Sequence, residues 1–513
     1  MMSMMPLPID KLSVQFADDD QDEADAWSGL DLSGKTLSSL GQGLFRMTYI
    51  THLYIAQNDL EFLPAAIAGL VNLRVLDASY NKLRALPPEM HKLKELRELK
   101  LDGNLLPKLP FELGRLYQLQ QLSLGGNPLT EPIRSYAAEG TDTLLSHLLD
   151  NAPSKSSARA IPPLVALTPP QRNWIFPATM PQDMGELPKD TVTSFCYNIL
   201  CEKYATRQVY RYCPSWALEW NYRKQQILKD ILQYSSDIIC LQEVASGQFY
   251  SYFQHKLRER DYQGLYHPKS RVRTMSDADR QTVDGCAIFF HVSKFKLVKE
   301  HCIEFERSAT RYASGCADML NRVMIKDNIA LCALLERQST GEKFFVCNLH
   351  LTWDPKFRDV KVIQTVLALR EIENFLKEHN CPNIPVMIMG DFNSMHDSGV
   401  YELMENGKYC VQPLMGEDWG YDYSKFIESV GLHHNLKLRS AYGNELPYSN
   451  YTPTFVGIID YIWYSAERLI PSALLGPVEE AYIQEHVDGC PNPHFASDHL
   501  ALSAEFRINK SGE

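Results

Sequence analysis

Residues 385–394 read Pro385-Val386-Met387-Ile388-Met389-Gly390-Asp391-Phe392-Asn393-Ser394. An apolar run of strand length ends in glycine and delivers Asp391 and Asn393 just past its carboxyl end, where a buried sheet exposes functional side chains. Four other stretches repeat the design: 194–200 carries Asn198, 237–244 carries Glu243, 344–350 carries His350 and 457–463 carries Asp460. Ser497, Asp498 and His499 directly precede the apolar Leu500-Ala501-Leu502. Carboxylates, carboxamides and imidazoles are therefore expected to converge from separate strands.

Around these stretches, residues 191–510 alternate apolar strands with longer segments such as 220–234 and 357–376. In the second of these, Val360, Ile363, Val366, Leu367, Ile372 and Phe375 form an approximate helical stripe. The pattern predicts a two-sheet α/β sandwich with long surface loops.

Upstream the sequence repeats. Asn58, Asn81, Asn104 and Asn127 recur every 23 residues, each after a related apolar frame: Leu53 and Ile55, Leu76 and Ala78, Leu99 and Leu101, Leu122 and Leu124. This is the leucine-rich-repeat pattern, in which the asparagine satisfies backbone groups where a short strand turns and the leucines stack from repeat to repeat. Residues 29–150 therefore read as a solenoid with caps, the last of them helical over 143–149. Its candidate partner-binding positions are Tyr54, Gln57, Arg74, Asp77, Lys100 and Asp102, bracing of the second domain being the plainer role. Residues 1–28 form a short acidic lead-in, and 151–190 a Pro/Ser-rich linker in which Arg172, Trp174 and Phe176 are available for docking.

A net charge of −12 argues against a broad basic surface, so nucleic-acid binding must be local or metal-assisted. The 12 cysteines are scattered, several within apolar runs, without zinc-site spacing. With no secretory pattern at the amino terminus, a reducing intracellular compartment is expected. No apolar run reaches membrane-spanning length.

Glu243 ends the run Ile238-Ile239-Cys240-Leu241-Gln242, where an ionised carboxylate is costly unless solvent, a cation or hydrogen-bond donors meet it. A structural salt bridge would satisfy it equally. Asn198, Glu243, Asp391, Asn393 and Asp498, with His350 and His499, form an oxygen-rich set suited to magnesium rather than zinc. Such a site neutralises phosphate oxygens, orients a water and stabilises a departing oxygen. Asp460, if adjacent, would fix the tautomer of His499. The carboxylates alone admit a DNA repair nuclease or a phosphatase.

The stretches around Asn198, 241–243, 390–394, 459–461 and 497–499 resemble the exonuclease-endonuclease-phosphatase superfamily. With the repeats, the run His350-Leu351-Thr352-Trp353-Asp354-Pro355 and the run 284–290, the chain is similar to the carbon catabolite repressor type catalytic subunits of the Not-containing messenger-RNA deadenylase complex. That resemblance spans the repeats and the whole second domain. It implies Glu243 as the central magnesium ligand, with Asn198, Asp391 and Asp498 completing a two-ion arrangement. It further implies that Asp391 orients the nucleophile, Asn393 positions phosphate and Asp460 supports His499, with His350 in the same catalytic group. Pro355 and Phe455 match the family's base-contacting proline and phenylalanine. Arg271 and Arg273, with Lys269, Arg280 and Lys326, would meet RNA phosphates, unless they simply face solvent.

The implied reaction is 3′-to-5′ hydrolysis of poly(A) RNA, releasing 5′ adenosine monophosphate. The resemblance also implies a partner deadenylase docked on the repeats, a large Not-containing scaffold, and a place in the cytoplasm, its decay granules and the nucleus. The long polar amino-terminal extension of some members is nearly missing. Two alternatives stand beside this reading: a protein-binding scaffold with a vestigial nuclease fold, and a nucleotide or lipid phosphodiesterase.

Overall fold

The computed structural model describes residues 28–152, 171–177, 191–313, 315–409 and 420–509. The acidic lead-in up to residue 27 and most of the expected linker lie outside the described residues. The chain divides into two compact units, one built on the repeats together with Tyr210–Trp216 and the other on the remaining chain.

In the first unit, five short parallel strands pair in sequence order: β1 (Gly29–Asp31), β2 (His52–Tyr54), β3 (Val75–Asp77), β4 (Glu98–Lys100) and β5 (Gln121–Ser123). Strands this short carry few ladder bonds, and the repeated asparagine supplies the rest. Asn104 donates through Nδ2 to the carbonyls of Ala78 (3.0 Å) and Leu101 (2.9 Å), while its Oδ1 accepts from the Leu83 amide (3.0 Å). Asn81 and Asn127 repeat the arrangement on their own rungs. A polar side chain with all its bonding capacity turned inward costs little to bury. Leu53, Leu76 and Leu99 fill the interior. The expected cap is the helix Thr141–Asp150, whose Leu144, Leu145 and Leu148 close the core. A Cβ on Gly114 would lie 2.4 Å from the Leu149 amide nitrogen, so only glycine admits this helix.

The second unit contains β6 (Trp174–Ile175), β7 (Thr191–Asn198), β8 (Ile238–Ala245), β9 (Tyr262–Pro268), β10 (Asp284–His291), β11 (Phe295–Glu304), β12 (Ile329–Arg337) and β13 (Lys343–His350). It continues with β14 (Val386–Asp391), β15 (Leu438–Ser440), β16 (Asn450–Thr452), β17 (Phe455–Gly457), β18 (Asp460–Ser465), β19 (Leu469–Leu475) and β20 (Leu502–Ile508). A seven-stranded sheet runs β6-β19-β20-β7-β8-β10-β9 and a six-stranded sheet β11-β12-β13-β14-β18-β15, with β16 and β17 forming a separate hairpin.

Facing apolar side chains from both sheets, among them Cys196, Cys240, Ile288, Leu331, Val346, Met387 and Ile462, make the central core. The helix Trp220–Tyr234 covers the outside of one sheet and the helix Arg358–Glu378 the outside of the other. The second matches the segment read as helical from its apolar spacing, and the first falls on the longer segment 220–234 noted between strands. The expected sandwich is thus present as four layers. Burial pushes the thiols of Cys196, Cys240 and Cys286 well up, as suits core residues rather than ligands.

Trp174 and Ile175, read from composition as linker, instead pair with β19 at the sheet edge. Arg172 beside them donates to the carbonyls of Gly476 (2.7 Å) and Ala501 (2.6 Å). A strand of two residues is too short to leave a periodic signal, and the surrounding prolines hide it.

Candidate active site

Each of the two large sheets of the sandwich has one parallel pair near its middle, β7 with β8 and β13 with β14, and every other pairing in them is antiparallel. The carboxyl ends of these four strands carry Asn198, Glu243, His350 and Asp391. In β13 and β14, His350 pairs in register with Asp391, and Asp391 pairs across β18 with Asp460. Gly390 is required at its position: its φ is +152°, and a Cβ would lie 1.9 Å from the Leu349 carbonyl oxygen.

Glu243 is aimed by a distortion. Between Leu241 and Val244 the pairing with β10 slips at Cys286, so two residues oppose one, and Glu243 takes a left-handed φ of 59°. Such a bulge turns one side chain out of the pleat. Gln242 consequently stays in the core, donating to Asn348 Oδ1 at 2.7 Å, while Glu243 faces the site. Its Oε2 accepts from the Cys201 amide at 2.9 Å.

One carboxamide joins the two sheets' contributions. Asn198 Nδ2 donates to Asp391 Oδ2 at 2.9 Å and lies 3.4 Å from Glu243 Oε1. Asp391 Oδ1 accepts from the Asn393 amide at 2.9 Å. His499 Nδ1 is 2.8 Å from Asp460 Oδ2, and its Nε2 points toward Asp391 Oδ2 at 3.7 Å. His350 Nε2 reaches the same oxygen at 3.6 Å. Ser449 Oγ also donates to Asp460 Oδ2, at 2.7 Å.

Electrostatics separates the two imidazoles. Burial disfavours a charge on His499, but Asp460 and Asp391 outweigh it and raise the ring well above its usual range. His350, buried and facing the positive Lys269, is pushed well below it. Desolvation and the neighbouring Asp460 raise Asp391 to about 7. Desolvation and then Asp284 raise Glu243 as well. Two rings at one carboxylate are thus pushed in opposite directions.

The donor set fits a hard divalent cation. Ligand-capable atoms of Asp391, Asp460 and His499 all lie within 4.8 Å of one another. Asp460 Oδ1 and His350 Nδ1 are buried without a hydrogen-bond partner among the described residues, and buried polar atoms left so are expensive. Glu243 and Asp391, bridged by Asn198, crowd negative charge that a cation relieves. The compact trio differs from the ligand set read from sequence in containing Asp460 and His499 rather than Glu243 and Asp498. Asp498 borders the site from the following loop, where its carbonyl accepts from the Tyr451 amide at 3.0 Å and Ser497 Oγ lies 3.4 Å from its carboxylate.

The remaining expected residues fall in three places. Phe455, 37% exposed, sits on the β16–β17 hairpin, whose Ser449, Asn450 and Tyr451 bond to residues 498–500. Its ring folds over Gly457 beside Met395. Pro355 is exposed in the loop after β13.

Arg271 and Arg273 already hold acidic partners: Arg271 pairs with Asp284 and Asp327, Arg273 with Glu304 and Glu306. Both side chains stay partly exposed, 25% for Arg271 and 36% for Arg273, so their expected contact with incoming phosphates stands as a proposal beside these ion pairs. Isolated cations in a polar segment give no sign of distant carboxylates. On the repeats, Tyr54, Asp77 and Lys100 share one row across β2, β3 and β4. Arg74 precedes β3 and is exposed, Gln57 has a left-handed φ of 56°, and Asp102 Oδ1 accepts from the Gly125 amide at 2.7 Å.

Three supporting residues escaped the sequence reading. Asp284, fully buried, gathers Lys203 (3.1 Å), Lys269 (2.7 Å) and Arg271, and these cations hold its carboxyl far below the usual range against its burial. Arg223, also fully buried, donates to the carbonyls of Leu218, Ile199, Leu200 and Ala496, which fixes the turn after Asn198 and the approach to Ser497. Lys361 donates to the Asn393 carbonyl at 2.7 Å, and burial lowers its ammonium to about 8. Nothing in a single sequence distinguishes these charges from surface ones, except that Arg223 and Lys361 fall on or beside the apolar stripes of their helices.

Residues 196–499 match the Endonuclease/Exonuclease/phosphatase family and residues 28–83 the leucine rich repeat. The chain is 42% identical over 518 residues to the "CCR4-NOT transcription complex subunit 6-like-A" of Xenopus laevis, covering 94% of this chain and 92% of that one. It is 40% identical to the "CCR4-Not complex 3'-5'-exoribonuclease subunit Ccr4" of Schizosaccharomyces pombe, over 96% of this chain and 76% of that one. The protein of the same name in Mycosarcoma maydis is 41% identical over 75% of this chain, which spans only 60% of that protein's length. Among solved structures, ANGEL2, a 2',3'-cyclic phosphatase, superposes with a TM-score of 0.54 at 26% identity, over 66% of this chain and 99% of that one.

Proposed function

The chain belongs to the endonuclease/exonuclease/phosphatase family and, within it, resembles the CCR4-type subunits along almost its whole length, and from that membership we propose that it is a 3′-to-5′ exoribonuclease that shortens poly(A) tails. The observation that carries this reading is the Asn198 amide group shared between Asp391 and Glu243, next to the paired His499 and Asp460. Facing strand ends of two sheets thereby bring their polar side chains to a single site.

Glu243, Asn198, Asp391 and Asp498 would hold magnesium, two ions in the full arrangement, which supplies positive charge at the phosphate and acidifies a bound water. Asp391, raised toward neutrality and touched by both imidazoles, orients the attacking water and takes its proton. Asp460 holds the Nδ1 proton of His499, so that Nε2–H faces the site and donates to a phosphate oxygen as charge develops there. Asn393, held from behind by Lys361, positions the phosphate. Pro355 and Phe455 flank the terminal base, and stacking on Phe455 favours adenine. The products are 5′ adenosine monophosphate and an RNA one nucleotide shorter with a 3′ hydroxyl.

The repeat row of Tyr54, Asp77 and Lys100, with Gln57, Arg74 and Asp102 around it, docks a partner deadenylase and so joins the chain to a Not-containing scaffold. Work of this kind belongs in the cytoplasm and its decay granules, with a nuclear share. Among the described residues no helix is long and apolar enough to cross a membrane.

End-labelled RNAs with an adenosine tail or a mixed tail of equal length test the activity. Stepwise loss of adenosine, stopped by chelator, is expected. Equal digestion of both tails would leave a nuclease without base preference, and turnover of a small phosphate ester that poly(A) does not compete would favour the nucleotide or lipid phosphodiesterase. For the partner, the charge-reversed double variant Asp77→Lys, Lys100→Glu should lose co-purification with the partner nuclease while keeping its turnover.

A further inference from the structure

Trp353 occupies an unusual position. Leu351 and Thr352 before it are buried at 0% and 3% exposure, while Trp353 itself is 73% exposed. Its backbone is fixed rather than loose. The Thr352 amide donates to Gln364 Oε1 at 3.0 Å and the Thr352 hydroxyl to Asn328 Oδ1 at 2.9 Å, while Asn328 Nδ2 donates to the His350 carbonyl at 3.0 Å. On the other side the Phe357 amide donates to the Asp354 carbonyl at 3.1 Å.

The indole nevertheless meets no ring or cation among the described residues, whereas Trp174 packs against Tyr234 and Trp220 against Phe253 and Arg223. A large apolar face presented to water on an anchored backbone is what a stacking platform requires.

Its place ties it to the site. Lys361 Nζ lies 3.5 Å from the Trp353 carbonyl oxygen and 2.7 Å from that of Asn393, so one ammonium sets the spacing between the two loops. Trp353 lies three residues past His350 and two before Pro355, a chain span of at most about 7 Å from the latter. In the proposed placement, with the last base at Pro355, Trp353 is the exposed ring nearest along the chain.

We propose that Trp353 forms a second base-stacking subsite, which takes a nucleotide upstream of the one being removed. This rests on the nuclease reading above. The subsite grips successive bases of single-stranded RNA while the terminal phosphodiester is cut, and it acts on retention of the tail rather than on the chemical step.

Binding of fluorescein-labelled oligoadenylate, measured by anisotropy in chelator so that no cleavage occurs, tests it with wild type, Trp353→Ala and Trp353→Phe. Alanine should weaken binding roughly tenfold, within the range that one base stack contributes, and phenylalanine should restore most of it. On RNA made abasic at the nucleotides preceding the last, wild type and Trp353→Ala should bind alike. With magnesium, Trp353→Ala should raise KM with little change in kcat.

Unchanged binding by the alanine variant, or a loss that persists on the abasic RNA, would overturn the subsite. A variant that binds RNA normally but leaves its protein assembly would overturn it too, in favour of a protein contact. Trp353-dependent binding by a wild-type protein that shortens no tail would instead count against the nuclease reading and leave the subsite standing.

Discussion

The two units treat buried polar groups in opposite ways. In the repeats, Asn81, Asn104 and Asn127 are identical residues on identical rungs, and each bonds only to backbone. In the sandwich, Asn198, Asp391 and Asp460 arrive from three strands and His499 from the loop before β20, and they bond chiefly to each other's side chains. The first group is complete and the second is not, since Asp460 Oδ1, like Nδ1 of the neighbouring His350, has no hydrogen-bond partner among the described residues. A polar residue satisfied by backbone holds a fold together, whereas a cluster of titratable side chains left incomplete awaits a ligand.

This contrast breaks or sharpens under mutation. The largest effect is expected from Glu243→Gln, which should lower magnesium-dependent turnover about a thousandfold, as removal of a preorganised charged group does elsewhere. Its melting temperature without metal should equal or exceed that of wild type, because a crowded carboxylate is gone. A large fall in melting temperature would move Glu243 to the structural side of the comparison.

Asp284→Asn should do the reverse. It leaves Lys203, Lys269 and Arg271 around a neutral group, and breaking a buried ion pair from one side costs about 3 kcal/mol. Denaturant unfolding of the sandwich would read that loss. Asn104→Ala should cost about 2 kcal/mol, through orphaned backbone groups in the repeats, with turnover unchanged. The smallest loss of turnover, about tenfold, is expected from Asp460→Asn, which releases the orientation of His499. A pH profile that shifts in that variant but not in Asn104→Ala would place the two residues in their separate classes.

How much the sequence revealed follows the same division. The repeats were legible because one residue recurs at one interval, and a periodic signal states its own structure. Strand ends were legible at Asn198, Glu243, His350 and Asp391, since an apolar run that stops at a polar residue marks where a sheet surfaces. Asp460, read the same way, instead opens β18 at its amino end and reaches the site because that strand runs antiparallel to β14. The bulge that aims Glu243 was not legible, because it depends on pairing with β10, distant in sequence. Nor were the partners of Arg271 and Arg273, as Asp327 and Glu304 reach them only through the folded chain. The edge strand Trp174–Ile175 was hidden by its length. Local pattern shows which residues meet the surface, while pairing across the fold decides which charges remain for a substrate.

The central claim is that the sandwich's unsatisfied cluster is completed by a divalent cation and the repeats' asparagines are not. The most direct test is thermal unfolding with increasing magnesium for wild type, Glu243→Gln and Asn104→Ala. A ligand bound to the folded state alone stabilises it by about 2.7 kcal/mol at a hundred times its Kd. Saturable stabilisation of the sandwich transition in wild type and Asn104→Ala, lost in Glu243→Gln, is the predicted result. An equal magnesium shift in all three proteins, or none in wild type, would contradict the account.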